Sequence, residues 1–346
     1  MQTIQNVIQN IKFTRIYIVV FSFALAQFGI LDGYGFEQTY EYVTKWGSTG
    51  IADGEFRHPH GIDVDSSGNL YITVRDNLEI QKFTSNGKFI DKWTSNTTRE
   101  GEYRNLIIKE DVIRSVFRSA DPRDGEFLDP HGVDVNSIGN VFIVDAAMLN
   151  VQKFDSNGKF ITKWGNNGTG DGEFRHPHDI IHDSHDNVYV TDWNNSNVQK
   201  FDSNGKFITK WGTNGTGDGE FYLLEGIGID SFDNTYVADA GNQRIQKFDS
   251  DGKFITKWGT KGTGDGEFRY PYGIAVDSLN NVYVSDKFNS KVQKFTDEGK
   301  FITKWGTKGT GDGEFQLPED LAVDLEGNVY VTDSNNDRIQ KFSPSS

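Results

Sequence analysis

The chain has 346 residues, with 50 acidic and 35 basic side chains, a formal net charge of −15 at pH 7, 38 glycines and no cysteine. The acidic balance excludes nucleic acid as an expected partner, because a surface that follows phosphates needs clustered lysine and arginine. The lack of cysteine excludes disulfides, a thiol nucleophile and cysteine-bound zinc. The length fits two average domains, or one large all-β domain.

The first element in chain order is a targeting segment. Residues 1–15 contain Lys12 and Arg15 and no acidic residue, and residues 16–26 form an apolar run that ends in Ala24-Leu25-Ala26. A basic start, an apolar stretch and a small-x-small ending are typical of a signal peptide. We expect a signal peptide over 1–26, a linker over 27–39 and a secreted or cell-surface protein. The alternative is a short membrane anchor, although the apolar run is shorter than the ~20 residues that span a bilayer.

The remaining elements repeat along the chain. The tetrapeptide DGEF ends at Phe56, Phe127, Phe174, Phe221, Phe268 and Phe315, which gives a period of 47 residues after one longer interval. Within each unit, four short β-branched and aromatic runs are separated by Asn, Asp, Gly and Ser, as strands are separated by turns. Four strands per unit predict the blades of a propeller.

The strand count also predicts how the ring closes. Three of the four strands occur six times, but the last unit ends at Ser346 without its outer strand. A matching segment, Tyr42 to Trp46, precedes the first DGEF. We therefore predict an all-β, six-bladed β-propeller over 40–346, closed by an N-terminal outer strand in a one-plus-three arrangement, and we expect a monomer.

The longer first interval is an insertion of 24 residues within about 94–123. Its middle, residues 103–117, has apolar residues partly at helical spacing. Two interpretations remain open, a surface excursion of one blade and a lid or partner-docking element, since loops carry both tolerance and function.

The units resemble a known repeat. Unit four contains IGID at 227–230, NTYVAD at 234–239 and NQRIQKF at 242–248. These segments resemble the NHL repeat, whose pattern is PxGIAVD, GNVYVAD and NxRIQxF, and the resemblance covers about residues 40–343. It implies a six-bladed propeller but no single function, because such propellers serve as binding platforms, lyases and hydrolases. The RNA-binding members need a basic face, which this acidic chain does not offer.

Positions that recur in nearly every unit are interpreted as structural. The outer-strand tryptophans are expected to pack blade against blade, and outer-strand lysines such as Lys206 to protect sheet edges. Pairs such as Asp239 with Arg244 place opposite charges across the turn between the second and third strands.

One position varies, and there the sequence predicts function. The residue just before the first strand of successive units is His60, His131, His178, Glu225, Tyr272 and Glu319. Because first strands line the channel of a propeller, we expect these six side chains to converge at one channel mouth and to bind a ligand. Three imidazoles suit zinc or another divalent metal. His60, His131 and His178 are therefore the candidate metal ligands.

The three histidines also resemble the zinc ligands of peptidyl-hydroxyglycine amidating lyases, which are six-bladed NHL-type propellers. That resemblance implies a metal at His60, His131 and His178, with Tyr272 a candidate catalytic residue by position alone. Those lyases are disulfide-bonded, whereas this chain has no cysteine. Our leading hypothesis is a non-enzymatic binding or scaffold propeller with a protein or glycan partner. The alternative is a metal-dependent lyase or hydrolase at the channel mouth.

Overall fold

The computed structural model describes residues 39–94 and 123–345. Within them, six four-stranded antiparallel sheets form the fold, and the helical elements are the 3-10 turns Arg75–Asn77, Ala240–Asn242 and Ser334–Asn336. Each inner strand contacts the inner strands of both neighbouring sheets, and that of the sixth sheet contacts that of the first. The sheets therefore form a closed ring, and the predicted all-β, six-bladed propeller is confirmed.

Each blade runs from an inner strand at the channel through a second and a third strand to an outer strand. The inner strands of blades one to six are Pro59–Val64, Pro130–Val135, Pro177–His182, Leu224–Ile229, Pro271–Val276 and Pro318–Val323. The second strands are Leu70–Val74, Val141–Asp145, Val188–Asp192, Thr235–Asp239, Val282–Asp286 and Val329–Asp333. The third strands are Glu79–Phe83, Asn150–Phe154, Asn197–Phe201, Arg244–Phe248, Lys291–Phe295 and Arg338–Pro344.

The outer strands of blades one to five are Phe89–Thr94, Phe160–Trp164, Phe207–Trp211, Phe254–Trp258 and Phe301–Trp305. Two-residue parallel pairs follow four of them: Asn166–Asn167 with Glu173–Phe174, Thr213–Asn214 with Glu220–Phe221, Thr260–Lys261 with Glu267–Phe268, and Thr307–Lys308 with Glu314–Phe315. These pairs fix the DGEF turns beside the channel mouth, because each turn leads directly into the next inner strand.

Blade six takes its outer strand from the N-terminal side of the ring. Tyr40–Trp46 pairs antiparallel with Arg338–Pro344, so the blade has one N-terminal and three C-terminal strands. The Tyr40 ring stacks on Trp305 with centroids 4.3 Å apart, and its hydroxyl lies 2.7 Å from that of Tyr283. Pairing these strands removes the open edges that an unclosed ring would expose.

The hydrophobic core lies between blades. The second strands are buried along their whole length, because both of their faces pack against neighbouring sheets. At the blade periphery, five of the six outer-strand tryptophans pack against the glycine turn of the next blade, as Trp164 does against Gly205. Trp305 stacks on Tyr40 instead. Gly205 has φ +85°, and a Cβ there would lie 2.4 Å from the indole. The turn therefore needs glycine both for its backbone and for the ring.

Three predicted segments lie wholly or mostly outside the described residues. The signal peptide or anchor falls outside them entirely, and the linker does so except for Thr39. The insertion also falls outside them, apart from its ends at Thr94 and Arg123. In the part of the chain that the structure describes, no helix has the length and apolar character required to cross a membrane.

Candidate functional site

The inner strands carry an irregularity that positions the channel residues. In blade three, Pro177 pairs with Asp192 and the next paired residue is Ile180, so two residues between them are unpaired with the second strand. The same shift occurs in the other five blades. The predicted channel residue is the first of these two residues. It is therefore the second residue of the strand, whereas the sequence analysis placed it just before the strand.

The six predicted residues do converge. Each is buried, with 1–6% of its surface exposed. Their roles as ligands stay predictions. The members are His60, His131, His178, Glu225, Tyr272 and Glu319.

We call His60, His131 and His178 the histidine cluster. Its ring centroids are 4.3 Å apart for His60 and His131, 4.8 Å for His131 and His178, and 5.3 Å for His60 and His178. One potential ligand atom from each residue lies within 4.8 Å of the other two. Three blades therefore bring three imidazoles close enough to share one metal ion.

Tyr272 connects two members of the cluster from the far side of the channel. Its hydroxyl lies 2.8 Å from Nε2 of His60 and 3.1 Å from Nε2 of His178. Burial, together with Glu319 and Glu225, raises the pKa of Tyr272 well above its usual value, so the phenol stays protonated. A hydroxyl has one hydrogen, so it donates to one imidazole and accepts from the other. His60 and His178 therefore hold opposite tautomers.

Two imidazoles of the histidine cluster are neutral, and one nitrogen of each imidazole lacks a hydrogen-bond partner. Burial, followed by the neighbouring imidazoles, lowers the pKa of His60 and of His178 well below the usual value. Nδ1 of all three residues is buried without a hydrogen-bond partner. Such atoms are rare in proteins and point to a bound water or ion. Neutral imidazoles with unoccupied nitrogens are the form in which histidine binds metals.

The third imidazole is held by an ion pair. Nε2 of His131 lies 3.2 Å from Oδ2 of Asp129, and Nε of Arg75 donates to Oδ1 of Asp129 over 2.6 Å. Burial alone would raise the pKa of Asp129, but His131 and Arg75 outweigh it and hold that pKa well below its usual range. An ionised carboxylate beside an imidazole orients the ring.

The two glutamates of the channel mouth differ in charge. Burial would raise the pKa of Glu319, but His60, His58 and Lys287 hold it well below the usual range. Because His60 itself stays neutral, the positive charge beside Glu319 comes from Lys287, 2.6 Å away, and from His58. Burial would lower the pKa of His58, but Glu319 outweighs burial and raises that pKa. Burial raises the pKa of Glu225 to about 8. Glu319 is thus an anion at neutral pH, and Glu225 carries a proton.

The channel mouth opens into a cavity of about 480 Å³. Beside predicted residues, its lining includes Arg75, His176, Trp193, Tyr270, Lys287 and Phe288. On the other side of the cluster the channel narrows to about 10 Å³, which is room for about one water. A ligand larger than water therefore reaches the histidine cluster from this cavity.

Comparison with known proteins identifies the family. A family model described as 6-bladed beta-propeller matches residues 125–189, 181–249, 232–295 and 280–346. This chain belongs to that family. The match confirms the NHL-like six-bladed propeller expected from the repeat.

A curated relative of this propeller is Protein brain tumor from Drosophila melanogaster, which is 24% identical over 147 residues. The match covers 36% of this chain and 14% of that protein. The match therefore spans about a seventh of the length of this relative.

Solved structures share the fold at low identity. A protein of unknown function from Bacteroides thetaiotaomicron has a TM-score of 0.62 at 17% identity, covering 89% of this chain and 77% of that one. A gluconolactonase from Xanthomonas campestris gives 0.58 at 11%, covering 85% and 88%. Virginiamycin B lyase from Staphylococcus aureus gives 0.56 at 14%, covering 88% and 99%. Identities this low show the propeller fold alone.

Several residues of the channel mouth were missed by the sequence analysis, although a signal for them exists. Two further repeat positions vary around the ring as the histidine position does. One is occupied by His58, Asp129, His176, Leu223, Tyr270 and Leu317, and the other by Arg75, Ala146, Trp193, Ala240, Lys287 and Ser334. Comparing the six units at every position, rather than at the channel position alone, identifies most of the cavity lining.

Proposed function

We propose that the channel mouth is a metal-dependent catalytic centre, a lyase or hydrolase that acts on a small polar molecule. The observation that carries the proposal is the histidine cluster itself. Its three buried imidazoles leave Nδ1 atoms without partners, and two of them, His131 and His178, line a cavity of about 480 Å³. Polar atoms buried without partners destabilise the fold, and these belong to metal-binding side chains that three different blades bring together.

The residues fit a divalent metal. His60, His131 and His178 would hold it, and three protein ligands with an open position are the arrangement of catalytic zinc sites. The low pKa values of His60 and His178 keep these imidazoles available to a metal down to acidic pH. When bound, zinc or another divalent metal supplies a Lewis acid that polarises an oxygen of the substrate or of a water.

The chain itself supplies proton donors around the cluster. The Glu225 carboxyl is protonated at neutral pH and lies 3.1 Å from Nε2 of His178, on the cavity wall. It is suited to donate a proton to a leaving group, as a general acid does. The Tyr272 hydroxyl, which also lines the cavity, can donate a hydrogen bond to developing negative charge. Asp129 and Glu319 stay ionised and fix the imidazoles of His131 and His58.

The names of two similar structures support this class. One is a gluconolactonase and another a virginiamycin B lyase, so the same propeller fold carries enzymes. Their identity to this chain is too low to transfer a substrate or a catalytic residue.

Elemental analysis tests the proposal. Wild-type protein purified without chelator and dialysed is expected to retain close to one zinc or other divalent metal per chain. The variant His60→Ala/His131→Ala is expected to retain almost none. His176→Ala is the matched control, because His176 lines the same cavity but lies outside the cluster.

Metal-free wild type after incubation with zinc, or equal metal in the double variant, would overturn the proposal. Circular dichroism and a thermal melt show whether each variant is folded. His178→Gln, which keeps a polar side chain of similar size, gives a second comparison if the double variant fails to fold.

A second candidate function is binding of a protein or glycan partner by a secreted or cell-surface propeller. It is favoured by Phe288, an aromatic side chain that lines the cavity and is nevertheless 53% exposed. Exposed aromatic residues beside a cavity are typical of binding surfaces. Binding on a glycan array that is lost in Phe288→Ser, with metal content unchanged, would favour this function.

A further inference from the structure

We propose that the channel mouth binds a sugar ring that carries a carboxylate, a uronic acid, stacked on an aromatic clamp formed by Trp193, Tyr270 and Phe288. This inference rests on the proposed function, since it assigns the substrate class of the same cavity. Three observations carry it: the clamp is not needed by the fold, it is held in place by Glu225, and two cationic side chains line the cavity beside it.

The aromatic clamp is not a requirement of the propeller. Trp193, Tyr270 and Phe288 all line the cavity, and the rings of Tyr270 and Phe288 have centroids 5.0 Å apart. Other blades have small residues in place of two of them. The Trp193 position holds Ala146, Ala240 and Ser334 in blades two, four and six, and the Phe288 position holds Ala147, Gly241 and Asn335 there. The blades fold without these rings, so their presence at the mouth is explained by a ligand.

Glu225 holds two rings of the clamp in place. Its Oε1 accepts a hydrogen bond from the Tyr270 hydroxyl over 2.5 Å and from the Trp193 indole N–H over 3.2 Å. The carboxyl belongs to blade four and the two rings belong to blades five and three, so one buried group ties three blades together. With their polar groups engaged, both residues offer ring surface to a ligand. A clamp fixed in advance loses little side-chain entropy on binding.

The rest of the lining is polar and partly cationic. Arg75 and Lys287 line the same cavity, each in an ion pair with a carboxylate, Asp129 and Glu319 respectively. A sugar ring has a flat C–H face that stacks on aromatic rings and a rim of hydroxyls for polar partners. Arginine and lysine recognise carboxylates. Their presence favours a sugar acid over a neutral sugar.

The size and lining of the cavity argue against a folded protein and against an aromatic carboxylic acid as the ligand. Its volume of about 480 Å³ is that of a small-molecule site, which is too small for a folded protein. An aromatic carboxylic acid shares the flat face and the negative charge. It has no hydroxyl rim, however, and would leave the polar groups of the lining unpaired, which costs affinity.

Fluorescence titration of the full chain tests the inference. Galacturonic acid and its trimer are the probes, with galactose as the neutral comparison and phenylacetate as the aromatic acid. Trp193 is the tryptophan among the described lining residues of the cavity, so its emission reports binding, and Trp193→Phe is expected to remove the signal. Each probe is titrated with and without added zinc.

We expect saturable binding of the uronic acids by the wild type. Phe288→Ala is expected to weaken it at least tenfold, and Lys287→Gln to weaken it for the acid but not for galactose. The matched control is Phe232→Ala, which removes a phenylalanine that is 72% exposed at the opposite end of an inner strand. This variant is expected to bind as the wild type does.

Saturation by phenylacetate but not by the uronic acids overturns the assignment to a sugar. So does the absence of saturable binding, or binding that Phe288→Ala leaves unchanged. The metal content of the protein is measured independently of sugar binding, so the two proposals can fail separately. Metal without uronic acid binding rejects this inference alone, and uronic acid binding without metal rejects the metal-dependent function alone. If Phe288→Ala melts early, Phe288→Leu replaces it.

Discussion

Glu225 and Glu319 occupy equivalent positions in blades four and six, yet their neighbours leave them in opposite protonation states. Glu319 has the Lys287 ammonium 2.6 Å away, whereas Glu225 receives hydrogen bonds from the neutral groups of Tyr270 and Trp193. A buried carboxyl stays ionised only where a charge or several donors offset its lost hydration. The chemistry of a repeat position therefore depends on the residues that surround it in space.

The pair formed by His182 and Asp134 lies nearer the opposite end of the channel. Nδ1 of His182 bonds both carboxylate oxygens of Asp134, at 2.9 and 2.8 Å. Burial lowers the pKa of His182, but Asp134, with Asp63 and Asp186, outweighs it and raises that pKa to about 9. Since the folded pKa exceeds the ordinary value of 6.5, the pair stabilises the fold fully below pH 6.5. This contribution is lost as the pH rises through 9.

We predict that His182→Gln lowers the free energy of unfolding by about 2–3 kcal/mol at pH 6 and by much less at pH 9.5. Urea unfolding at the two pH values measures the difference. His185→Gln is the control, because its side chain is 76% exposed. Equal destabilisation by His182→Gln at both pH values would show that the charged pair does not stabilise the fold.

At the scale of single elements, the turns between second and third strands are held in two ways. In blade six, Nε of Arg338 donates to Asp333 over 2.7 Å, and its other nitrogens donate to carbonyls of the DGEF loop. Blade four repeats this with Arg244 and Asp239. Blade three has Asn197 there, so its buried Asp192 has no arginine beside it and is held by backbone N–H groups and by the Asn195 side chain. The expected charge pairs thus bridge the turn and also anchor the DGEF loop.

Arg338→Ala is predicted to cost about 3–5 kcal/mol of stability, because it leaves Asp333 buried without its cation. Arg338→Asn, which copies blade three, is expected to cost less, since an amide can still donate. Chemical denaturation of both variants measures the loss. A cost within 1 kcal/mol of zero for Arg338→Ala would contradict the prediction.

The glycine turns give another element-scale prediction. A Cβ at Gly252 would lie 2.5 Å from the Trp211 ring, whereas one at Gly266 would have its nearest neighbour 3.9 Å away, and both residues have positive φ. Gly266→Ala should therefore show backbone strain alone, about 1 kcal/mol. Gly252→Ala should add overpacking and cost about 3 kcal/mol. Thermal melts compare them, and equal losses would show that the tryptophan contact tolerates a methyl group.

At the scale of the whole molecule, stability depends on closure. Tyr40 and Tyr283 meet through their hydroxyls, and Tyr40 also stacks on Trp305. These contacts pack the N-terminal strand, which completes blade six, against blade five. Each blade buries its hydrophobic surface against two neighbours, so opening one boundary exposes core on both sides.

Tyr40→Ala is predicted to lower the free energy of unfolding by about 3–5 kcal/mol, the cost of removing a buried aromatic ring. A single unfolding transition should remain, because the blades stabilise one another. Tyr42→Ala, on the same strand but only half-buried, should cost clearly less. A separate early transition in the Tyr40→Ala melt would show that blade six unfolds independently of the ring.

The sequence alone determined the propeller, its six blades and the source of its closing strand. It did so because every blade has the same packing requirement, so the same strand pattern recurs in each unit. Counting the strands then shows that the last unit lacks its outer strand and that a matching strand precedes the first unit. It also identified six residues of the channel mouth from one variable repeat position, but not the rest of the lining.

Only the tertiary structure decided what those residues can do. The sequence does not show that Tyr272 bonds two histidines from across the channel, that Glu225 is protonated while Glu319 is ionised, or that Trp193 and Phe288 line the cavity. These properties arise between side chains from different blades, up to 261 residues apart in the case of His58 and Glu319. Hydration, charge and hydrogen bonding depend on which side chains are close in space. A repeat pattern gives the spacing of residues along the chain, but not their contacts across blades.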